Sequence, residues 1–274
     1  MISSRRDRSV TYVILIVFTI IALVPLVQIL SAALSTDQYA QPGLRFPDGL
    51  HLENFVHAWT RGHFGSFLGS SVLVAVTVVV AAGIFSIMAA YAFGTMRFPG
   101  SKVLFYLFVL GLTIPEEVIV IPLYYGFRDL NLTNTYWALI LPQTAQSVAF
   151  GTYWMRTYFV SASRSLIEAA RLDGASSWGI LWRILVPSGR PAITTMIVIT
   201  FMWTWNEFLL PLVMISSGNH RTVPLGLAFF QGQHSSDISL LAAGAVLVAL
   251  PVVIVYLIFQ RRFIEGMVSG AVKE

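Results

Sequence analysis

The chain has 274 residues, of which 56% are hydrophobic and only 11% charged, and its mean hydropathy is +0.75. A water-soluble domain carries about 25% charged residues, so this composition excludes an ordinary soluble protein and points to an all-α, polytopic membrane protein. The net charge of +4 is better placed in loops on one membrane face than against nucleic acid, and the absence of cysteine excludes disulfide and thiolate chemistry.

A spanning helix needs about 20 apolar residues. Six segments qualify, at about 10–34, 67–95, 103–125, 135–155, 192–215 and 238–259. The first follows Arg5-Arg6 and invites a signal-peptide reading, with Ser31-Ala32-Ala33 as a weak cleavage-like site. Its apolar run is longer than a signal core of about 7–15 residues, which predicts a retained helix. The outer segment Ser35 to Gly65 follows, with Pro42, Gly43, Pro47 and Gly49 ahead of a short amphipathic helix from Leu52 to Trp59. Trp59 is expected at headgroup level. Small residues at Ala81-Ala82-Gly83, Ala89-Ala90 and Ala242-Ala243-Gly244-Ala245 predict close helix packing. Neither an internal repeat nor a separate soluble domain is visible, so residues 1–274 read as a single transmembrane domain.

Six spans put both termini on one side. That side holds 13 of the 17 Lys and Arg residues, among them Arg97, Lys102, Arg156, Arg164, Arg171, Arg183, Arg190, Arg261 and Arg262. The other side holds Arg45, Arg61, Arg128 and Arg221. The asymmetry predicts that the termini and the loop 160–191 are cytoplasmic.

Several chemistries lack their residues. There is no phosphate-binding G-x-x-x-x-G-K-[ST] sequence. The five histidines, His51, His57, His63, His220 and His234, fall on the outer side without the usual metal-ligand spacing.

Three carboxylates, Glu116, Glu117 and Glu207, lie inside apolar spans. Charges there usually face a bundle interior or a cavity. Counted along straight helices, Glu116 and Glu207 stand roughly 20 and 22 Å above the cytoplasmic end, at similar depth. Trp203 and Glu207 share a helix face at i, i+4, with Asn206 beside them. A tryptophan with a carboxylate suits a sugar, whose ring stacks and whose hydroxyls donate. Asn206 and Glu207 equally suit a structural role, tying helices together or satisfying backbone freed by Pro211. Pro115 and Pro122 break or kink the third span beside Glu116 and Glu117, lining a cavity, forming a hinge or simply bending it.

Between the fourth and fifth spans the chain reads EAARLDGASSWGILWRILVPSGRP from Glu168 to Pro191. Helix formers at Glu168-Ala169-Ala170, a break at Asp173-Gly174-Ala175, and prolines at Pro187 and Pro191 predict two short helices around a tight turn. This spelling resembles the EAA loop of importer permeases of the ATP-binding-cassette (ABC) class. Tyr91-Ala92-Phe93 with Arg97-Phe98-Pro99-Gly100, Trp205-Asn206-Glu207-Phe208, and Gln260-Arg261-Arg262-Phe263 with Gly266 and Gly270-Ala271-Val272-Lys273 extend the resemblance from about Val10 to Lys273. They narrow it to carbohydrate-importer permeases of the maltose and glycerol-phosphate type, on the side of the MalG-like second permease.

The resemblance implies a type I importer permease fold in the bacterial inner membrane, and a transport subunit rather than an enzyme. Its implied partners are a second permease, two ATPase subunits that bind ATP and magnesium, an extracytoplasmic sugar-binding protein and membrane lipid, with no nucleic acid. It also implies that Glu168, Ala169, Ala170, Asp173, Gly174, Ala175, Trp178 and Pro187 belong to the ATPase-coupling element. Trp203, Asn206, Glu207, Glu116 and Glu117 are the candidate substrate pathway. Leu181 departs from the pattern, standing where the loop often carries an aromatic; Trp178 or Trp182 is available to replace it. Arg164, Arg171 and Arg183 suit either an acidic ATPase surface or plain topology. Two rival classes remain: an ion- or proton-coupled transporter using the three carboxylates, and a membrane enzyme, for which no nucleophile or metal set is visible.

If the loop docks an ATPase, Gly174→Trp or Asp173→Arg will abolish copurification of that ATPase while the membrane bundle stays folded. Copurification at the wild-type level would contradict the assignment.

Overall fold

Apolar segments inside hydrocarbon satisfy their backbone groups only as helices or closed barrels, and here each of the six apolar segments is mostly helical, the third and fifth with a break. The computed structural model describes residues 5–36, 46–161, 164–216, 218, 220–230 and 237–271. Pro42, Gly43, Arg45, His234, Val272 and Lys273, named above, lie outside them. By internal contacts the chain divides into two compact units, 1–65 with 226–251, and 66–225 with 252–274.

In the first unit, helix α1 (Arg5–Ala33) is followed by α2 (Glu53–Arg61). No residue of the α1 apolar window is buried. Helix α2 buries Asn54 and Ala58, one turn apart, and exposes Val56 and Trp59. The Asn54 amide donates to the carbonyls of Ala33 (3.0 Å) and Ser35 (2.9 Å), so α2 supplies the donors that the end of α1 lacks. Thr36 donates its hydroxyl and its N–H to the Asp48 carboxylate, at 2.6 and 3.0 Å. The hydroxyl bond chiefly holds that carboxyl below its ordinary pKa. Phe64 stacks between Trp59 and Phe230, with centroids 6.4 Å away on each side.

The second unit carries most of α3 (Phe64–Thr95), then α4 (Ser101–Gly111), α5 (Glu116–Asp129) and α6 (Trp137–Ser161). Next come α7 (Arg164–Leu172), α8 (Ser177–Ile180), a π-turn Leu181–Leu185, α9 (Val186–Ser188), α10 (Arg190–Asn206) and α11 (Leu209–Met214). The short α12 (Val223–Gly226), a 3₁₀ turn Leu227–Phe230 and α13 (Ile238–Ala271) complete the order. Helices α3 and α13 each pass through both units.

Among the described residues three helices are long and apolar enough to cross a membrane alone: Arg8–Ala33, Phe64–Thr95 and Ile238–Phe263. The third apolar segment is not one straight rod. Pro115, in extended conformation, separates α4 from α5, and the two bend by 96°. A depth for Glu116 counted along a straight helix therefore fails, because Glu116 opens a second helix beyond the bend. A further bend of 80° separates Ser177–Ser188 from α10. Helix α6 falls outside the apolar set because polar residues such as Gln143, Ser147 and Thr152 lower its mean hydropathy; each of the three is buried within the protein.

Helix α6 organises the second unit along its length. At its start Ala138, Leu139 and Ile140 join Val74, Val78, Val120, Leu210 and Met214 in one apolar cluster. At its end Met155 and Phe159 join Ile87, Ala90, Tyr91, Ile167, Ala170, Ile180, Leu181, Leu185 and Met196 in another. Between them Gly151 meets α3 and α10. A Cβ there would lie 2.7 Å from Ser86 Cβ and 2.9 Å from Met196 Sδ. Small residues at such crossings let backbones approach. Gly83, by contrast, has no atom within 4 Å of a would-be Cβ, so it makes no close crossing.

Gly151→Ala is expected to destabilise the purified protein by about 1–3 kcal/mol through overpacking. Gly126→Ala, in α5 with open space around it, is expected to be neutral or to stabilise by up to about 1 kcal/mol. Thermal unfolding in detergent compares the two; equal shifts would contradict the packing assigned to Gly151.

Candidate functional site: a coupling segment and a polar cavity

The turn between α7 and α8 is built by its glycine. The Ala175 N–H donates to Ala170 O (2.9 Å) and the Gly174 N–H to Arg171 O (3.0 Å), the paired bonds of a Schellman motif. That motif needs a left-handed residue at Gly174, where φ is +80°. A side chain there has space but the wrong backbone angle. Ser176 then caps α8, its Oγ accepting from the Gly179 N–H at 3.2 Å. Pro187 has no N–H to give the preceding turn, and that turn widens into the π geometry of Leu181–Leu185.

The segment presents two faces. Ile167, Ala170, Ile180, Leu181 and Leu185 are buried, with Ala175 packed against them. Removing such large side chains from water is worth about 1.5–3 kcal/mol each. Glu168, Ala169, Arg171, Leu172, Asp173 and Trp178 are exposed. The three residues Glu168, Ala169 and Ala170 thus divide between the faces. Of the two tryptophans near Leu181, Trp178 is 61% exposed, whereas Trp182 packs against the buried cluster. Their rings lie 5.6 Å apart. Polar ties fix the segment to its neighbours: Tyr158 Oη pairs with Ser188 Oγ at 2.9 Å, and the Trp154 indole donates to Ala192 O at 2.9 Å. Arg156 donates to Phe93 O at 3.3 Å and lays its guanidinium 4.2 Å from the Phe105 ring centroid.

Further along α6 and α10 lies a cavity of about 680 Å³, within the size range of small-molecule sites. Leu112 and Glu116 line it from the α4–α5 break, Gln143, Gln146, Ser147 and Phe150 from α6, Ile199, Met202, Trp203, Thr204 and Asn206 from α10, with Glu207 beyond its end and Phe263 from α13. Four of the five pathway candidates therefore meet in one place. Glu117 does not line the cavity and is exposed. The α6 residues were not singled out from sequence, although Gln143, Gln146 and Ser147 recur at helical spacing as a polar stripe in an apolar segment, with Phe150 one turn on.

Both acids sit where helices restart. Glu116 is in the first turn of α5, where a negative charge complements the helix dipole. Glu207 is extended (ψ 122°) after the last residue of α10, and its Oε1 accepts the Leu210 N–H at 3.0 Å. The amide left without a partner at the break is thereby satisfied. The two carboxyl groups are close enough to interact directly. Asn206 donates to Met202 O at 2.8 Å, and Trp203, half-exposed, meets Phe150 edge-to-face at 4.6 Å. Two buried oxygens in the cavity wall, Gln143 Oε1 and Glu116 Oε1, have no hydrogen-bond partner. Among the described residues no group of three or more His, Cys, Asp or Glu side chains is placed to hold a metal.

Glu207→Ala is expected to lower stability by roughly 0.5–2 kcal/mol, the usual cost of a lost cap, whereas Glu207→Gln keeps an acceptor oxygen for Leu210. Thermal unfolding of the two variants checks this; equal losses would show that charge, not capping, stabilises the break.

Residues 82–268 match the family model described as "Binding-protein-dependent transport system inner membrane component". The chain is 37% identical to the probable ABC transporter permease protein YurM of Bacillus subtilis, covering 96% of this chain and 87% of that one. It is 30% identical to the diacetylchitobiose uptake system permease protein NgcG of Streptomyces coelicolor, over 97% and 89% of the two chains. It is 35% identical to the arabinooligosaccharides transport system permease protein AraQ of Halalkalibacterium halodurans, over 83% and 81%. Among solved structures, a chain of a bacterial ABC transporter involved in import of the acidic polysaccharide alginate superposes with a TM-score of 0.76 at 25% identity, covering 96% of this chain and 99% of that one. This chain therefore belongs to the inner-membrane components of binding-protein-dependent ABC transport systems, and is a membrane-embedded transport subunit rather than an enzyme.

Proposed function

We propose that this chain forms half of the translocation pathway of an ATP-driven sugar importer. A second permease supplies the other half. An extracytoplasmic binding protein delivers the sugar, and two ATPase subunits hold ATP and magnesium. The topology that goes with this reading has six spans, at about 10–34, 67–95, 103–125, 135–155, 192–215 and 238–259, and both termini in the cytoplasm. The permease names of NgcG and AraQ, each given to an oligosaccharide uptake system, support the sugar class.

The observation that carries the reading is the continuity of two helices. Helix α6 lines the cavity with Gln143 and Ser147 and, two turns on, packs the coupling segment with Met155 and Phe159. Helix α10 leaves that segment at Arg190 and lines the cavity with Trp203 and Asn206. A push on the exposed face of Glu168, Ala169, Asp173 and Trp178 is thus delivered to the cavity wall. Ala170 and Ala175 hold the segment to the bundle, Gly174 sets its turn, and Pro187 ends its π-turn. Interfaces of packed helices respond to such a push by switching between discrete arrangements.

The expected outcome of solubilising the chain from its native membrane is recovery of a second permease and an ATPase, with sugar uptake into vesicles that stops when ATP is withheld. Recovery of the chain alone, moving solute without ATP, would overturn the proposal and favour a carboxylate-coupled transporter.

A further inference from the structure

The cavity changes character along its length. Helix α6 runs toward the coupling segment and α10 away from it, so residue number on each reads as depth. On α6 the lining passes from Gln143, Gln146 and Ser147 to Phe150 as the coupling segment nears. On α10 it passes from Ile199, Met202 and Trp203 to Thr204, Asn206 and Glu207 as that segment recedes. The outer end is therefore polar, and the inner end, nearer the coupling segment, is apolar.

Helix α13 contributes Phe263 to the lining, and a hydrogen bond fixes its level. Thr195, fully buried one turn before Ile199, donates its hydroxyl to Phe263 O at 3.4 Å while sharing it with Pro191 O at 3.1 Å. Trp154 laces α6 to α10 close by, at Ala192 O. Phe263 thus stands at the inner end. In the six-span topology α13 runs inward, and a helical side chain leans toward the N-terminus of its helix. The Phe263 ring accordingly leans outward over the inner end of the cavity, while Thr195 holds its carbonyl. Tyr256, two turns earlier on α13, meets the ring edge-on with centroids 6.1 Å apart.

An apolar neck bars a hydroxyl-rich solute without having to fill the space. Hydrophobic constrictions gate by dewetting, and a sugar entering one gives up hydrogen bonds to water that Phe150, Ile199, Met202 and Phe263 do not replace. Widening the neck removes the barrier. Helix α10 begins at Arg190, directly after the coupling segment, whereas α13 is not continuous with that segment. Displacing the segment therefore moves α10 against α13, and the bond between Thr195 and Phe263 lies on that seam.

We propose that Phe263 is this chain's inner gate. With Phe150, Ile199 and Met202 it closes the cavity toward the cytoplasm, and it opens when α10 shifts past α13 and Thr195 releases Phe263 O. The inference rests on the importer reading above and goes beyond it by naming the side chain that closes the pathway.

The test uses the assembled transporter in inside-out membrane vesicles, with Gln146→Cys, on the outer side of the neck, as reporter. The chain has no cysteine of its own. Mass spectrometry of this chain follows reaction of the reporter with a membrane-impermeant methanethiosulfonate cation added at the cytoplasmic face. Rates are compared without nucleotide and with ATP plus orthovanadate. With Phe263 in place, one of the two states is expected to react at least about tenfold more slowly than the other. Phe263→Ala is expected to bring the slow state to within about threefold of the fast one. Phe263→Gln, which keeps the bulk but wets the neck, is expected to do the same, and Phe263→Leu to leave the slow state slow. Thermal transitions verify that the variants are folded; if Phe263→Ala is not, the Gln and Leu variants decide between them. A slow state that stays slow in Phe263→Gln, or a Phe263→Leu variant as fast as Phe263→Gln, would overturn the gate and leave the importer reading standing. Equal rates in the two nucleotide states with Phe263 in place would also overturn the gate. If, in addition, no second permease or ATPase is recovered with this chain from the same vesicles, the importer reading falls with it.

Discussion

The rest of the second unit depends on one packing contact, that of Ile180, Leu181 and Leu185 against Met155 and Phe159. All five side chains are at most 2% exposed. The segment that carries the first three is otherwise polar, short and turned by a glycine, and helices of its length are marginal alone in water. Its conformation is therefore imposed by what it packs on. Close packing has little compliance, so the coupling segment and the ends of α6 and α10 behave as one piece. The hydrogen bonds from Tyr158 and Trp154 to the α9–α10 region add direction to that contact.

A second constraint shapes the far end of the piece. Inside hydrocarbon an interrupted helix must find acceptors for the amides it frees. This chain interrupts two helices near each other, after Gly111 and after Asn206, and begins the next helix at each break with an acid at or before its first turn. Glu207 answers the backbone with a hydrogen bond and Glu116 only through the dipole of the helix it opens, and the breaks in turn open the space between α5, α6 and α10. Cavity and carboxylates thus have one origin. The reading of Glu207 as structural and the reading of it as a pathway residue are compatible, because a carboxylate has two oxygens and the cap uses one.

Much of this was legible in the chain itself. The spelling from Glu168 to Ala175 announces a helix, a left-handed turn and a second helix, since glycine after a helix and Ser176 before the next are local signals that need no tertiary information. Pro115 announces the break beside Glu116 for the same reason. Other features depend on packing that local patterns do not encode. Gln143 and Ser147 dilute the hydropathy of α6, so the stripe that lines the cavity looks from sequence like a weaker span. Trp178 and Trp182 are indistinguishable by spacing alone, and only packing separates them: the first is 61% exposed and the second lies against the buried cluster. Glu116 and Glu117 are adjacent and chemically equal, yet a helix turns successive residues about 100° apart, and only one of them meets the cavity.

The central claim is that the coupling segment and the inner end of α6 move together while the cavity changes shape. The chain has no cysteine, so spin labels can be placed in pairs without background: Ser177 with Thr157 across the packing contact, and Ile119 with Phe208 on the elements that border the cavity. Distances measured by pulsed electron resonance in the assembled transporter, with and without ATP, are predicted to stay constant for the first pair and to change for the second. A Ser177–Thr157 distance that shifts on ATP binding while the Ile119–Phe208 distance does not would contradict the account.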